Sequence, residues 1–200
     1  MTPTEVLQKY YGFRSFRPHQ REIIEGVIRG EDAFVLMPTG SGKSVCYQIP
    51  AVIRPGVGVV ISPLIALMQD QVAALRQNGL RADFLNSSLS AAEAGAVVRR
   101  ALKGELDLVY VAPERLLTES FQSLIRRIPI ALFAIDEAHC VSQWGHDFRP
   151  EYLRITEVTD RFAAVPKIAL TATADAQTRR DILEKLALGQ ATQYVSSFDR

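Results

Sequence analysis

Two short stretches carry residue types that together can handle a triphosphate. The first is Pro38, Thr39, Gly40, Ser41, Gly42, Lys43 and Ser44. Gly40 and Gly42 let the backbone turn successive N–H groups toward one point, because no Cβ stands in the way. Lys43 adds a compact charge that can reach β- and γ-phosphates. The Ser44 hydroxyl can ligate Mg²⁺. The general pattern calls for glycine at its first position, which Met37 holds here. The second stretch is Asp136-Glu137-Ala138-His139. Asp136 can hold Mg²⁺ through water, and Glu137 beside it can polarise an attacking water. An Asp-Glu pair after a strand also serves as a helix N-cap. The phosphate loop upstream is what favours the hydrolytic reading.

These residues need elements that bring them together. Ala33 to Met37 is a short apolar run that reads as a buried strand, and Val45 to Ile49 opens a helix to about Ile53. Strand, loop, helix is the setting for phosphate, because the positive helix end adds to the loop's donors. Two lead-in helices are expected first, over residues 2–10 and 18–29, the former with a Thr2/Glu5 capping box and a stop at Gly12. Further strands are expected at 57–61, 83–85, 106–111, 130–135, 167–170 and 192–196. Helices are expected at 64–77, 90–103, 120–127 and 175–186, with Ser90 and Glu93 forming a second capping box. The strands are apolar throughout rather than two-sided, which predicts an α/β domain with a mostly parallel central sheet and helices on both faces. Such sheets place sites at the carboxyl ends of their strands. Each polar cluster follows a strand: the phosphate loop, Ser62-Pro63-Leu64, Ala112-Pro113-Glu114-Arg115, Asp136-Glu137 and Thr171-Ala172-Thr173.

Bulk composition sets the limits. Two hundred residues with 48% hydrophobic content suffice for one large domain. A net charge of +1 carries no general basic signature, so any nucleic-acid contact must be a local patch. Met1 to Phe13 shows no apolar core of a secretory signal. No apolar run approaches the ~18 residues of a membrane span. Cys46 and Cys140 are too few for a four-ligand zinc site and read as reduced thiols of a cytosolic protein. His19 reads as a surface residue without a role.

A wider set of segments occurs in order: Phe13-x-x-Phe16-Arg17-x-x-Gln20, Met37 to Ser44, Ser62 to Leu64, Ala112 to Leu116, Asp136 to His139, Ser142 to Pro150 and Leu170 to Ala174. Over almost the whole chain this set resembles the RecQ family of superfamily 2 DNA helicases. The aromatic loop around Trp144, directly after Asp136 to His139, is its most family-specific part. The resemblance implies a RecA-like P-loop NTPase domain that takes ATP and Mg²⁺, with Lys43, Asp136, Glu137 and His139 catalytic and Ser44 and Asp136 on the metal. It implies an adenine pocket of Phe13 (often Tyr in the family), Arg17 and Gln20. The Gln20 amide is also of the type that pairs with adenine N6 and N7.

The same resemblance implies contact with single-stranded DNA through Ser62, Pro63, Leu64, Asn86, Pro113, Glu114 and Arg115. Coupling to hydrolysis is implied through Trp144, His146, Phe148 and Arg149, with Thr171 and Thr173 bridging to His139. Trp144 and Phe148 offer stacking faces and Arg149 a phosphate-binding fork. Trp144, flanked by Gly145, His146 and Asp147, is expected near the surface. One domain is expected over 1–200, with 1–30 a helical lead-in. A second RecA-like domain supplying an arginine, and zinc-binding and winged-helix segments, are expected beyond Ser196 to Arg200. The implied parent protein is a monomer unwinding forked DNA in repair and recombination, in the bacterial nucleoid or the nucleus, with no membrane. The 200 residues alone are expected to bind ATP weakly and to hydrolyse it poorly. Two other readings remain open here: an RNA-directed ATPase of the same superfamily, and a non-catalytic nucleotide-binding module. The Trp144 loop argues against the first, and intact Lys43, Asp136 and Glu137 against the second.

Overall fold

The computed structural model describes residues 1–196, so Ser197 to Arg200, part of the stretch expected to lead into a second domain, lie outside the described residues. Seven parallel strands form one sheet: β1 (Ala33–Leu36), β2 (Val57–Ile61), β3 (Ala82–Leu85), β4 (Leu108–Val111), β5 (Ile130–Ile135), β6 (Lys167–Thr171) and β7 (Thr192–Val195). Their order across the sheet is β3-β4-β2-β5-β6-β1-β7. Successive side chains point to opposite faces. Ala33, Val35 and Met37 therefore join a core layer with Tyr47, Met68, Tyr110 and Leu170, while Phe34 and Leu36 join the other with Phe133, Ile135, Phe121 and Ile182.

The helices that cover these layers are α1 (Pro3–Val6), α2 (Gln20–Ile28), α3 (Val45–Ile53), α4 (Ile65–Gln77), α5 (Ala91–Leu102), α6 (Pro113–Leu116), α7 (Glu119–Arg126), α8 (Thr156–Thr159) and α9 (Ala176–Lys185). Helix α1 runs on as a π-helical turn over Leu7–Tyr11 and stops at Gly12, which adopts φ +74°. Thr2 and Ser90 both form capping boxes with the glutamates three residues on. Asp175 caps α9 by accepting the Thr178 N–H at 2.8 Å. Helix α3 lies unusually close to the sheet: a Cβ on Gly58 would stand 2.6 Å from the Ala51 Cβ. The sequence did not foretell α6, α8 or the 3₁₀ turns Ala138–Val141 and Pro150–Arg154. Each is only four or five residues, too short to show periodicity.

Strand order positions the chemistry. At the carboxyl ends, Asp136 leaves β5, Thr171 ends β6 and the phosphate loop leaves β1, and these three strands are adjacent. Ser62 follows β2 and Pro113 follows β4 on the far side of β5. With strands ~4.8 Å apart, β4 and β1 are separated by about 19 Å.

Candidate nucleotide site and its rim

Gly40 and Gly42 both take left-handed backbone conformations, φ +82° and +83°. A side chain at Gly42 would also strike the Gln20 amide nitrogen. Within the loop, the Ser41 N–H donates to Pro38 O at 3.2 Å and Lys43 Nζ to the same oxygen at 3.4 Å. The N–H groups of Gly42, Lys43 and Ser44 make no backbone hydrogen bond among the described residues. They precede the first turn of α3, so the donor set suits a phosphate. The lead-in segment clamps this loop from outside. Gln20 Nε2 donates to Gly42 O at 3.0 Å, Arg17 Nη1 donates to Gly40 O, and the Arg17 N–H donates to Gln20 Oε1 at 2.8 Å. Gln20 is buried and both ends of its amide serve backbone. Phe13 is exposed and lies by a separate hollow with Gln8, Gly12 and Arg14, away from the phosphate cleft.

Facing the loop is Asp136, buried beside Lys43. Burial and then the neighbouring Glu137 charge push its pKa up to about 6, against the partial relief of the Glu137 N–H (2.9 Å to Oδ1) and Lys43. Burial likewise lowers the Lys43 pKa, and the two carboxylates oppose that shift. The Tyr152 hydroxyl donates to Asp136 O at 2.8 Å, fixing the backbone where β5 ends. Glu137 sits at φ +52°, a strained conformation for a non-glycine residue. It turns the carboxylate to 3.5 Å from His139 Nε2. His139 Nδ1 lies 2.8 Å from Thr171 Oγ1, which also lies 3.0 Å from Thr173 O. That hydroxyl carries one proton for two acceptors, so its direction decides whether the Nε2 facing Glu137 carries the ring proton. Burial lowers the His139 pKa.

Loop, carboxylates and Arg17 open on one cleft of about 450 Å³. Tyr47, Leu67 and Gln71 also line it. Sequence reasoning singled out none of these three as a site residue. Tyr47 belongs to a buried chain of hydroxyls and amides: Tyr47 Oη lies 2.8 Å from Tyr110 Oη, Gln48 Nε2 donates to Tyr110 Oη at 3.0 Å, and Tyr11 Oη donates to Gln48 Oε1 at 2.7 Å. No local spacing announces such a network.

The sequence profile of the DEAD/DEAH box helicases matches residues 17–182, which contain all of this cleft. The chain belongs to the DEAD/DEAH box helicase family. It is 50% identical over 199 residues to the ATP-dependent DNA helicase RecQ of Haemophilus influenzae, covering all of this chain and 32% of that protein. To the RecQ-like DNA helicase BLM of Xenopus laevis it is 43% identical over 203 residues, covering 98% of this chain and 15% of that one. The chain thus spans a third or less of these relatives. In fold it matches a hypothetical ATP-dependent RNA helicase from Sulfolobus tokodaii with a TM-score of 0.73 at 20% identity, over 97% of this chain and 56% of the other.

Seen as a DEAD/DEAH box domain, the rim next to the cleft divides in two. Trp144 projects into solvent, 74% exposed, with His146 exposed and Phe148 and Arg149 half-buried. The His146 ring stacks on His139 at 4.8 Å, so the aromatic loop touches the Asp136–His139 segment directly. Arg149 is held by Asp147 at 3.4 Å. On the other side of β5 several side chains expected to meet DNA lie beneath the surface: Ser62 and Pro113 are buried at strand ends. Thr171, at the end of β6, is also buried and lies against His139 as expected. Asn86 is buried too, its Oδ1 accepting from Ser88 N–H at 2.9 Å in a local turn. These side chains shape the loops from within. What the segments present outward is Pro63, Leu64, Glu114, Arg115 and Thr173. His19 is exposed, as expected, and takes φ +73° as the residue before α2. Cys46 and Cys140 are buried and unpaired. No helix of the described residues is long and apolar enough to cross a membrane.

Proposed function

We propose that this chain is the first motor domain of an ATP-dependent DNA helicase. The observation that carries the reading is the convergence of Lys43, Ser44, Asp136 and Glu137 on one cleft beside an exposed aromatic loop. The RecQ names of its relatives support DNA as the polymer. In this reading the N–H groups of residues 42–44 and Lys43 hold the phosphates, and Ser44 and Asp136 hold Mg²⁺. Bound Mg²⁺ supplies charge neutralisation on the phosphate oxygens. Glu137 orients and deprotonates the attacking water, and His139 positions Glu137 through the contact at 3.5 Å. Arg17 and Gln20 set the height of the phosphate loop beneath an adenine that Phe13 stacks upon. Trp144, His146, Phe148 and Arg149 meet single-stranded DNA and relay its presence to His139 by the stacked rings. Thr173, Leu64, Pro63, Glu114 and Arg115 complete the strand's path, with Ser62, Asn86, Pro113 and Thr171 beneath it.

A second RecA-like domain of the parent protein would close the cleft and supply an arginine to the transferring phosphoryl group. The parent then works as a monomer on forked DNA, where the cell keeps its DNA. The test is ATP hydrolysis with and without single-stranded DNA, on this chain and on one extended through the following domain. We expect stimulation by DNA only in the extended protein, with more than 100-fold loss in Glu137→Gln. No response to DNA in either would replace the motor with a nucleotide-binding module. Stimulation by RNA but not DNA would make it an RNA-directed ATPase.

A further inference from the structure

Helix α9 carries a carboxylate that the hydrolytic chemistry does not use. Asp181 is 8% exposed and has no cation within ion-pair distance among the described residues. Its oxygens accept from Ser142 Oγ at 2.8 Å and from Gln177 Nε2 at 3.2 Å. Gln177 is its own neighbour one turn back on α9. Ser142 is not: it is fully buried at the base of the aromatic loop, and its Oγ also accepts the Trp144 N–H at 3.2 Å. A buried carboxylate is costly unless hydrogen bonds satisfy it, and packing alone would be met by an apolar side chain. Asp181 thus holds one hydroxyl from a distant segment, and that hydroxyl holds the tryptophan's backbone.

Beyond its base the loop leaves an open hollow of about 280 Å³ toward the start of α9, bounded by Trp144, His146, Thr173, Asp175 and Thr178. The loop is pinned at its base, while the Trp144 side chain stands in solvent.

We propose that Asp181 is a positioning residue for the DNA response, fixing the direction of Trp144 through Ser142. This rests on the reading of the aromatic loop as a DNA sensor. It adds that α9, rather than the hydrolytic strand ends, sets how the sensor stands. Loss of one charge-assisted hydrogen bond, ~1.4 kcal/mol, corresponds to about tenfold in an equilibrium.

Trp144 is the chain's one tryptophan, so fluorescence excited at the red edge, where tyrosine does not absorb, reads this loop alone. The experiment compares wild type, Asp181→Ala and Asp181→Asn as the 200-residue chain. It measures the anisotropy and acrylamide quenching of Trp144, its change on adding oligo(dT), and affinity for a fluorescent ATP analogue. In Asp181→Ala we expect faster local motion of Trp144 and about tenfold weaker oligo(dT) response, at unchanged nucleotide affinity. Asn keeps an acceptor for Ser142 and should restore the wild-type signal in large part. If wild type responds to oligo(dT) and Asp181→Ala matches it in motion and response, the anchor is overturned. If wild type itself does not respond, the sensor reading fails, while the mobility comparison without DNA still decides whether Asp181 holds the loop. Should Asp181→Ala not fold, Ser142→Ala carries the same comparison from the donor's side.

Discussion

Asp136 is a carboxyl group kept where water solvates it poorly, and its cost is readable in pH. The folded chain keeps a proton on it up to pH about 6, whereas the unfolded chain releases it near 3.8. The folded state binds more protons across that window, so this group's contribution to stability falls as pH rises from about 4 to 6 and stays lost above. At 1.36 kcal/mol per pH unit the difference is of order 3 kcal/mol. Asp136→Asn, which keeps an acceptor for the Glu137 N–H, should therefore raise the melting temperature of the nucleotide-free chain at pH 7.5 by several degrees. That gain should vanish at pH 4. Thermal unfolding at the two pH values checks it, and an equal gain at both would assign the effect to packing. Lys43, Asp136 and Glu137 were legible in the sequence because local spacing after a strand defines them. Asp181 and Tyr47 were not, because only tertiary packing gives an isolated Asp or Tyr its partners. The same holds for the burial of Ser62 and Asn86: the resemblance implied contact with DNA, and strand-end geometry placed both side chains beneath the surface.

The elements that carry these residues were mostly legible, since seven strands and the longer helices show apolar runs or periodicity. Their ends differ by a residue or two: the strand expected at 106–111 begins at Leu108, and the helix expected from Pro18 begins at Gln20. The tight seating of α3 on β2 had no signal beyond Gly58 itself. A Cβ there would stand 2.6 Å from Ala51 Cβ, closer than carbon atoms pack. Gly58→Ala should push α3 outward or strain β2, at about 1–3 kcal/mol. Because Ser44 leads directly into α3, the shift should also reach the phosphate donors. The expected outcome is a lower melting temperature together with weaker binding of an ATP analogue. A stability loss with unchanged nucleotide affinity would show that the loop is set by Arg17 and Gln20 rather than by its helix. Gly42→Ala is the complementary test: at φ +83° and against Gln20 it should weaken nucleotide binding more than it lowers stability.

At the scale of the whole molecule, strand order was the part the sequence withheld, since apolar runs carry no record of which neighbour they pair with. The observed order places the phosphate loop at one side, the possible DNA contacts at the other, and Asp136 with Thr171 between them. Charge completes the argument. A net charge of +1 leaves no broad field to attract DNA, so affinity must come from a few groups on this edge. Arg115 and Arg149, both half-buried and the latter paired with Asp147, are the cations of the two proposed contact segments. Each phosphate neutralised on a single strand contributes about −0.7 to the slope of log affinity against log salt, so two give about −1.4. Titrating labelled oligo(dT) between roughly 50 and 200 mM salt should return that shallow slope. Arg115→Ala and Arg149→Ala should each flatten it by about 0.7. A slope steeper than about −4 would mean an extended basic track instead, and the strand's path would then have to be redrawn away from this edge of the sheet.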